Sequence, residues 1–177
     1  MARLKMTVIY IRRRQTMKTQ LRSRIPWQEK MNRPAEPRIV PVPKKWQRQY
    51  GTGTMLIATP KLVDALMRKP PSGKLVTIRA IRERLARDHK ADSTCPLTTG
   101  IFVRVVSEAS NEHLESGKKR VTPFWRVVRD DGSLLEKFPG GVQAQAKFLR
   151  KEGHNILAGR GKKLPRVKDF ERSLICL

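Results

Sequence analysis

The chain has 177 residues and a mass of 20.4 kDa, with 39 Lys and Arg against 15 Asp and Glu, a formal charge of +24. That length favours one domain with extensions, no run reaches the ~18 apolar residues of a membrane span, and two cysteines, Cys95 and Cys176, exclude a disulfide framework and a four-cysteine zinc site. A field this positive attracts polyanions, and nucleic acid is the expected partner because each cation placed on a phosphate releases condensed counterions.

The charge is uneven along the chain. Residues 1–50 hold 14 basic and 2 acidic side chains, residues 51–157 hold 19 and 11, and residues 158–177 hold 6 and 2. Three segments follow: a basic extension over 1–54, a domain over 55–157 and a basic tail over 158–177. Prolines 26, 34, 37, 41 and 43 break any long helix in the extension, so it is expected to be largely irregular, with Pro41-Val42-Pro43 extended. Trp27, Trp46 and Tyr50 either stack nucleic-acid bases or pack onto the domain. The first 28 residues are Arg-rich and free of acid, the composition of an organellar transit peptide, and Met17 and Met31 offer alternative starts. Without a leader the expected location is the cytoplasm, on the nucleoid.

Thr59-Pro60 opens a helix, Thr as N-cap and Pro at the first helical position. Leu62, Val63, Leu66 and Met67 give it an apolar face, and Pro70-Pro71-Ser72-Gly73 stops it. After the apolar link Leu75–Thr77, a second helix is predicted over 78–89 with Thr77 as its cap. The turn Asp92–Pro96 leads to a third over 96–110. Its apolar face is expected to hold Leu97, Ile101, Phe102, Val105, Val106 and Ala109. Thr99, Gly100, Val103 and Ser107 are then outward, with Arg104 at the flank. Two helices joined by a tight turn read as a helix-turn-helix, and small outward residues let such a helix approach a groove closely. A helical hairpin with an accidentally small face fits the same pattern. The groove-facing set is Arg79, Arg82, Thr98, Thr99, Gly100, Val103, Arg104 and Ser107.

Beyond a charged loop at 111–120, a strand is predicted over Phe124–Val128, a turn at Arg129–Gly132 and a returning strand over Ser133–Phe138. This hairpin would form a wing. A last helix spans about 142–152 and ends at Gly153. The fold class is α+β: a winged-helix-like helix-turn-helix domain with a small β-hairpin wing and basic, largely irregular extensions at both ends.

Cys95 precedes Pro96 near a helix N-terminus, where the dipole favours thiolate, which makes it the one candidate nucleophile. Buried packing is the competing reading of a free cysteine. His89, His113 and His154 lack metal-ligand spacing and read as surface or capping histidines, and no cofactor motif is present.

Five segments occur in order: Pro71-Ser72-Gly73-Lys74-Leu75-Val76-Thr77, Thr122-Pro123-Phe124-Trp125-Arg126-Val127-Val128, Asp131-Gly132-Ser133-Leu134, Gly140-Gly141, and Leu149 through Glu152-Gly153. Over roughly 58–155 this resembles the DNA-binding domain of the alkylguanine-DNA alkyltransferases, and most of all the small alkyltransferase-like proteins. The resemblance implies a helix-turn-helix in the minor groove and a pocket for a flipped, alkylated base. In active members of that family a Pro-Cys-His-Arg segment carries the acceptor thiolate. Here Phe124 stands at the Cys position and Trp125 at the His position, so the resemblance implies a pocket of Phe124, Trp125 and Arg126 without alkyl transfer. The family's flipping Arg aligns with Gly100, leaving Arg104 one turn later as a substitute, and its pocket Tyr aligns with Ile78.

The resulting expectation is a monomeric protein that binds duplex DNA, alkylated or not, through its helix-turn-helix, with no metal or cofactor and no membrane. Two alternatives stay open. One is an active methylated-DNA-protein cysteine methyltransferase using Cys95. The other is a general nucleic-acid binder, RNA included, driven by the basic extensions.

Overall fold

Thr59 and Thr77 act as the caps their positions require. The Thr59 hydroxyl accepts from the Leu62 N–H at 3.4 Å, opening α3 (Pro60–Met67), and the Thr77 hydroxyl accepts from the Ala80 N–H at 3.0 Å, opening α4 (Ile78–Asp88). The computed structural model describes residues 25–177. The transit-peptide reading of 1–28 and the start at Met17 fall on or extend into residues outside the described ones.

Between Trp27 and Tyr50, where irregular chain is predicted, the prolines delimit short elements instead of preventing them: α1 (Trp27–Asn32), β1 (Arg38–Pro41) and α2 (Lys44–Tyr50). Pro26 and Pro43 are the residues just before the two helices, where a missing N–H costs nothing. β1 pairs antiparallel with β2 (Thr54–Ile57), with Ile39 opposite Leu56, and β2 pairs in parallel with β4 (Ser93–Thr94). Asp92 ties this sheet at its end, accepting from the Thr54 N–H (2.8 Å) and hydroxyl (2.7 Å). The expectation of an irregular extension is therefore corrected over the described part.

The helix that follows β4, α5 (Pro96–Glu115), runs 20 residues, so the first part of the segment predicted as a charged loop is helical. Beyond it the expected wing does not form. Phe124–Arg126 is a 3-10 turn, and the strand after it, β5 (Val127–Val128), pairs in parallel with β3 (Val76–Thr77). Val76, Val127 and Val128 are each 0% exposed. A hairpin wing would hold one face of that strand in water, whereas these valines are closed in on both sides. The Arg129–Gly132 turn itself exists, with the Arg129 N–H donating to Ser133 O at 2.9 Å.

After α6 (Gly141–Lys151), the tail is also ordered. β6 (Ile156–Leu157) pairs antiparallel with β7 (Arg166–Val167), the Leu75 N–H donates to Ser173 O, and the Ile175 N–H donates to Leu75 O. Val167 and Phe170 are buried with Leu75, Val128, Leu134 and Leu149 in one apolar cluster. A larger one, centred on Leu56, Val63, Met67, Ile81, Val106 and Phe124, joins α3, α4 and α5. The architecture is thus α+β, with small sheets between helices.

Candidate nucleic-acid interface

α5 lies with its small residues inward. Thr99 and Ser107 are 0% exposed and Val103 is 2% exposed. The hydroxyls satisfy themselves on the helix: Thr99 donates to Cys95 O and Ser107 to Val103 O, both at 2.7 Å. A hydroxyl paired this way is buried without an orphaned donor, and small residues let α5 lie close on α1, α3 and α4. The expectation that Thr99, Val103 and Ser107 face outward is corrected. The outward residues at the start of α5 are Leu97, 60% exposed, Gly100, and Ile101, 51% exposed, two of which were expected in the core. Nothing lies within 4 Å of the position a Gly100 Cβ would take.

The expected arginines are mostly engaged within the fold. Arg104 pairs with Glu108 at 3.5 Å and lies over the Trp27 ring at 5.6 Å. Its helix turn is covered by α1, whose first N–H groups, Trp27 and Gln28, donate to the Glu112 carboxylate at 2.9 and 3.0 Å. Arg82 donates to Thr94 O at 3.2 Å and stacks over Tyr50 at 5.6 Å, so it pins the turn between α4 and α5. Arg79 is the more exposed of these, with Asp130 at 3.3 Å. Thr98 is half-buried, its hydroxyl 3.4 Å from Cys95 O. Trp27 and Tyr50 therefore pack onto the domain, the second of the two readings that the sequence left open.

Phe124, Trp125 and Arg126 do come together, but as a filled core. Phe124 is 1% exposed and meets Trp125, Phe138 and Phe148 edge-on, while Trp125 stacks on Phe148 at 4.4 Å between centroids. The rings occupy the space expected to be a base pocket. Glu152 organises the rest. It accepts from the Trp125 indole N–H (2.8 Å), from Arg126 Nε (2.9 Å) and Nη2 (2.7 Å), and from the Gly73 N–H (3.2 Å). Arg126 also donates to Pro70 O at 2.7 Å. Partial burial opposes the charged carboxyl, but the bonds from Arg126, Trp125 and Gly73 outweigh it and hold Glu152 below the ordinary carboxylate range. Arg126 and Glu152 thus tie together the segments around Gly73, Phe124–Val128 and Leu149–Gly153. Nothing local in the sequence marks this role of Glu152, because its partners lie 26 and 79 residues away.

Cys95 is 3% exposed against Val42 and Met55, and its N–H donates to Leu56 O at 2.9 Å. As the residue before α5 it makes no side-chain cap. Its sulfur has no path to a bulky substrate in this arrangement. His154 is buried, contrary to the surface or capping reading, and burial lowers its pKa. Among the described residues there is no group of three His, Cys, Asp or Glu that would hold a metal, and no helix is long and apolar enough to cross a membrane.

No family profile matches this chain, and no curated protein does. Among solved structures, S. pombe Atl1 in complex with damaged DNA containing O6-carboxymethylguanine is similar at 19% identity, over 66% of this chain and 93% of that chain, with a TM-score of 0.45.

One group of exposed cations gathers at the tail hairpin. Between the Arg129–Gly132 turn and the β6–β7 loop lies an open basin of about 610 Å³, edged by Arg129, Arg160, Lys162, Lys163 and Arg166, with Asp131 as its one acid. By sequence this loop lies within the basic tail, residues 158–177.

Proposed function

We propose that this chain binds duplex DNA and does so without accepting an alkyl group. The observation that carries the reading is the outward face at the start of α5: Leu97, Gly100 and Ile101 in solvent on a chain of charge +24. Apolar side chains on a helix are the wedges that minor-groove proteins press between base steps, while cations hold the flanking phosphates. Gly100 leaves the helix backbone open to close approach. The alkyltransferase-like motifs support the same class of partner. The absence of transfer rests on Phe124 at the acceptor position and on the burial of Cys95.

The test is fluorescence anisotropy on a labelled 20-base-pair duplex, undamaged or carrying O6-methylguanine, at several salt concentrations. The expected result is binding that weakens steeply with salt, and a loss of roughly tenfold (a loss of ~1.4 kcal/mol) when Leu97 and Ile101 are both changed to Ala. Binding indifferent to salt and to both substitutions overturns the proposal. Mass spectrometry after incubation with the alkylated duplex is expected to find the protein mass unchanged.

A further inference from the structure

We propose that the basin between the β6–β7 loop and the Arg129–Gly132 turn is a second binding site, which holds the sugar-phosphate backbone of duplex DNA. The inference rests on the DNA-binding reading but concerns a different surface from α5.

Three observations carry it. The first is charge: five cations surround one acid, and Asp131 is itself occupied by the Ser133 N–H at 3.0 Å. Among the described residues, Arg160, Lys162, Lys163 and Arg166 form no ion pair, and Arg129 has only Glu136 at 4.0 Å. Like charges held this close repel one another, a cost that an anionic ligand removes.

The second is construction. The loop is folded on itself, with the Lys163 N–H donating to Arg160 O at 3.0 Å. A Cβ on Gly159 would stand 2.1 Å from Lys163 O and 3.0 Å from the Leu164 carbonyl carbon, so only glycine permits this closure. The opposite wall is equally fixed. Gly132 has φ +76°, and a Cβ there would strike the Phe170 ring at 2.4 Å. The Val167 N–H donates to Gly132 O and the Leu134 N–H to Pro165 O, fastening hairpin to turn. The cations are presented by a built cradle rather than by a loose tail.

The third is what the basin lacks. No aromatic ring lines it, so it offers no stacking surface for splayed bases. Leu157, 38% exposed at its edge, suits the apolar face of a sugar. Cations with an aliphatic contact and no ring match a duplex backbone, which positions a protein without reading sequence.

The experiment uses the full chain and four species: wild type, the triple variant R160Q/K162Q/K163Q, G159A, and a charge-matched control K44Q/K45Q/R48Q on exposed α2 residues. Duplex affinity is measured against salt, with thermal melting followed by circular dichroism for each variant. The basin triple is expected to lower the slope of log K against log salt by about 2 to 3 and to weaken binding at least tenfold at 0.1 M salt, at ~0.9 per phosphate contact. G159A, which keeps every charge but cannot keep this loop closure, is expected to weaken binding roughly threefold or more, and its melt shows how far the loop's rearrangement spreads into the fold. The α2 control is expected to change affinity less than the basin triple. Equal losses in the basin triple and the control, or an unchanged basin triple, overturn the second site while leaving the DNA-binding reading in place. A wild type that binds no duplex overturns that reading itself. Preference for the single strand, or release of the duplex by inorganic phosphate at matched ionic strength, overturns the assignment to a duplex backbone.

Discussion

Glu152 concentrates more of the fold than any other single side chain in the motif region. It joins the 3-10 turn at Phe124–Arg126 to Gly73 and, through Arg126, to Pro70. The Arg126 and Glu152 side chains are 15% and 11% exposed, so removing one strands the other in a largely dry site. Glu152→Ala is expected to destabilise the chain by about 3 kcal/mol, read from urea denaturation. The same carboxyl gives a pH signature. Its folded pKa lies below the ordinary 4.5, so its contribution is full above the unfolded value and is lost as pH falls through the folded one. Between neutrality and about pH 3, wild type is expected to lose more stability than Glu152→Gln. Cysteine accessibility is a separate check at this scale. Native protein is expected to react with a thiol reagent once, at exposed Cys176, and twice after denaturation, when Cys95 is released. Two rapid equivalents in the native state contradict the burial of Cys95.

At the scale of the element, α5 decides the most. Its sequence carries two competing stripes, one of Leu97, Ile101, Val105 and Ala109 and one of Thr99, Val103, Ser107 and Ser110. Hydropathy favours the first as the inner face, but over the first two turns the fold buries the second and leaves Leu97 and Ile101 outside; from Val105 onward both stripes are buried. The reason is that a threonine or serine bonded to the preceding turn behaves as a small, satisfied filler, which lets neighbouring helices approach. Contrasting substitutions one residue apart test this. Gly100→Ala, in an open helical position, is expected to stabilise by about 0.5–1 kcal/mol. Thr99→Leu, forced into a filled contact, is expected to destabilise by about 1–3 kcal/mol. Thermal denaturation gives both signs, and stabilisation by Thr99→Leu contradicts the inward face.

At the scale of the whole molecule, the tail is part of the fold. Leu75 lies between Ser173 and Ile175 in hydrogen bonding, and Val167 and Phe170 complete the cluster that buries Leu134 and Val128. Ending the chain at residue 157 would expose that cluster. The truncated protein is expected to melt well below the full chain and to bind a hydrophobic dye; an unchanged melt contradicts the tail's structural role.

The amino-acid sequence by itself determined the charge of +24, the capped starts of α3 and α4, the Pro96 start of α5, the turn at Arg129–Gly132 and the helix before Gly153. Charge, capping and turn chemistry act over a few residues and need no distant partner to be recognised. It also set Phe124 and Trp125 where an acceptor Cys and His would stand in the family it resembles. Only the tertiary structure decided which stripe is buried at the start of α5, that Val127–Val128 pairs with Val76–Thr77 instead of closing a hairpin, that the described part of the extension and the tail form regular elements, and that Arg160, Lys162 and Lys163 edge a basin with Arg129. Each of those depends on side chains far apart in sequence competing for the same buried contact, and local periodicity holds no record of which competitor lies nearer in space.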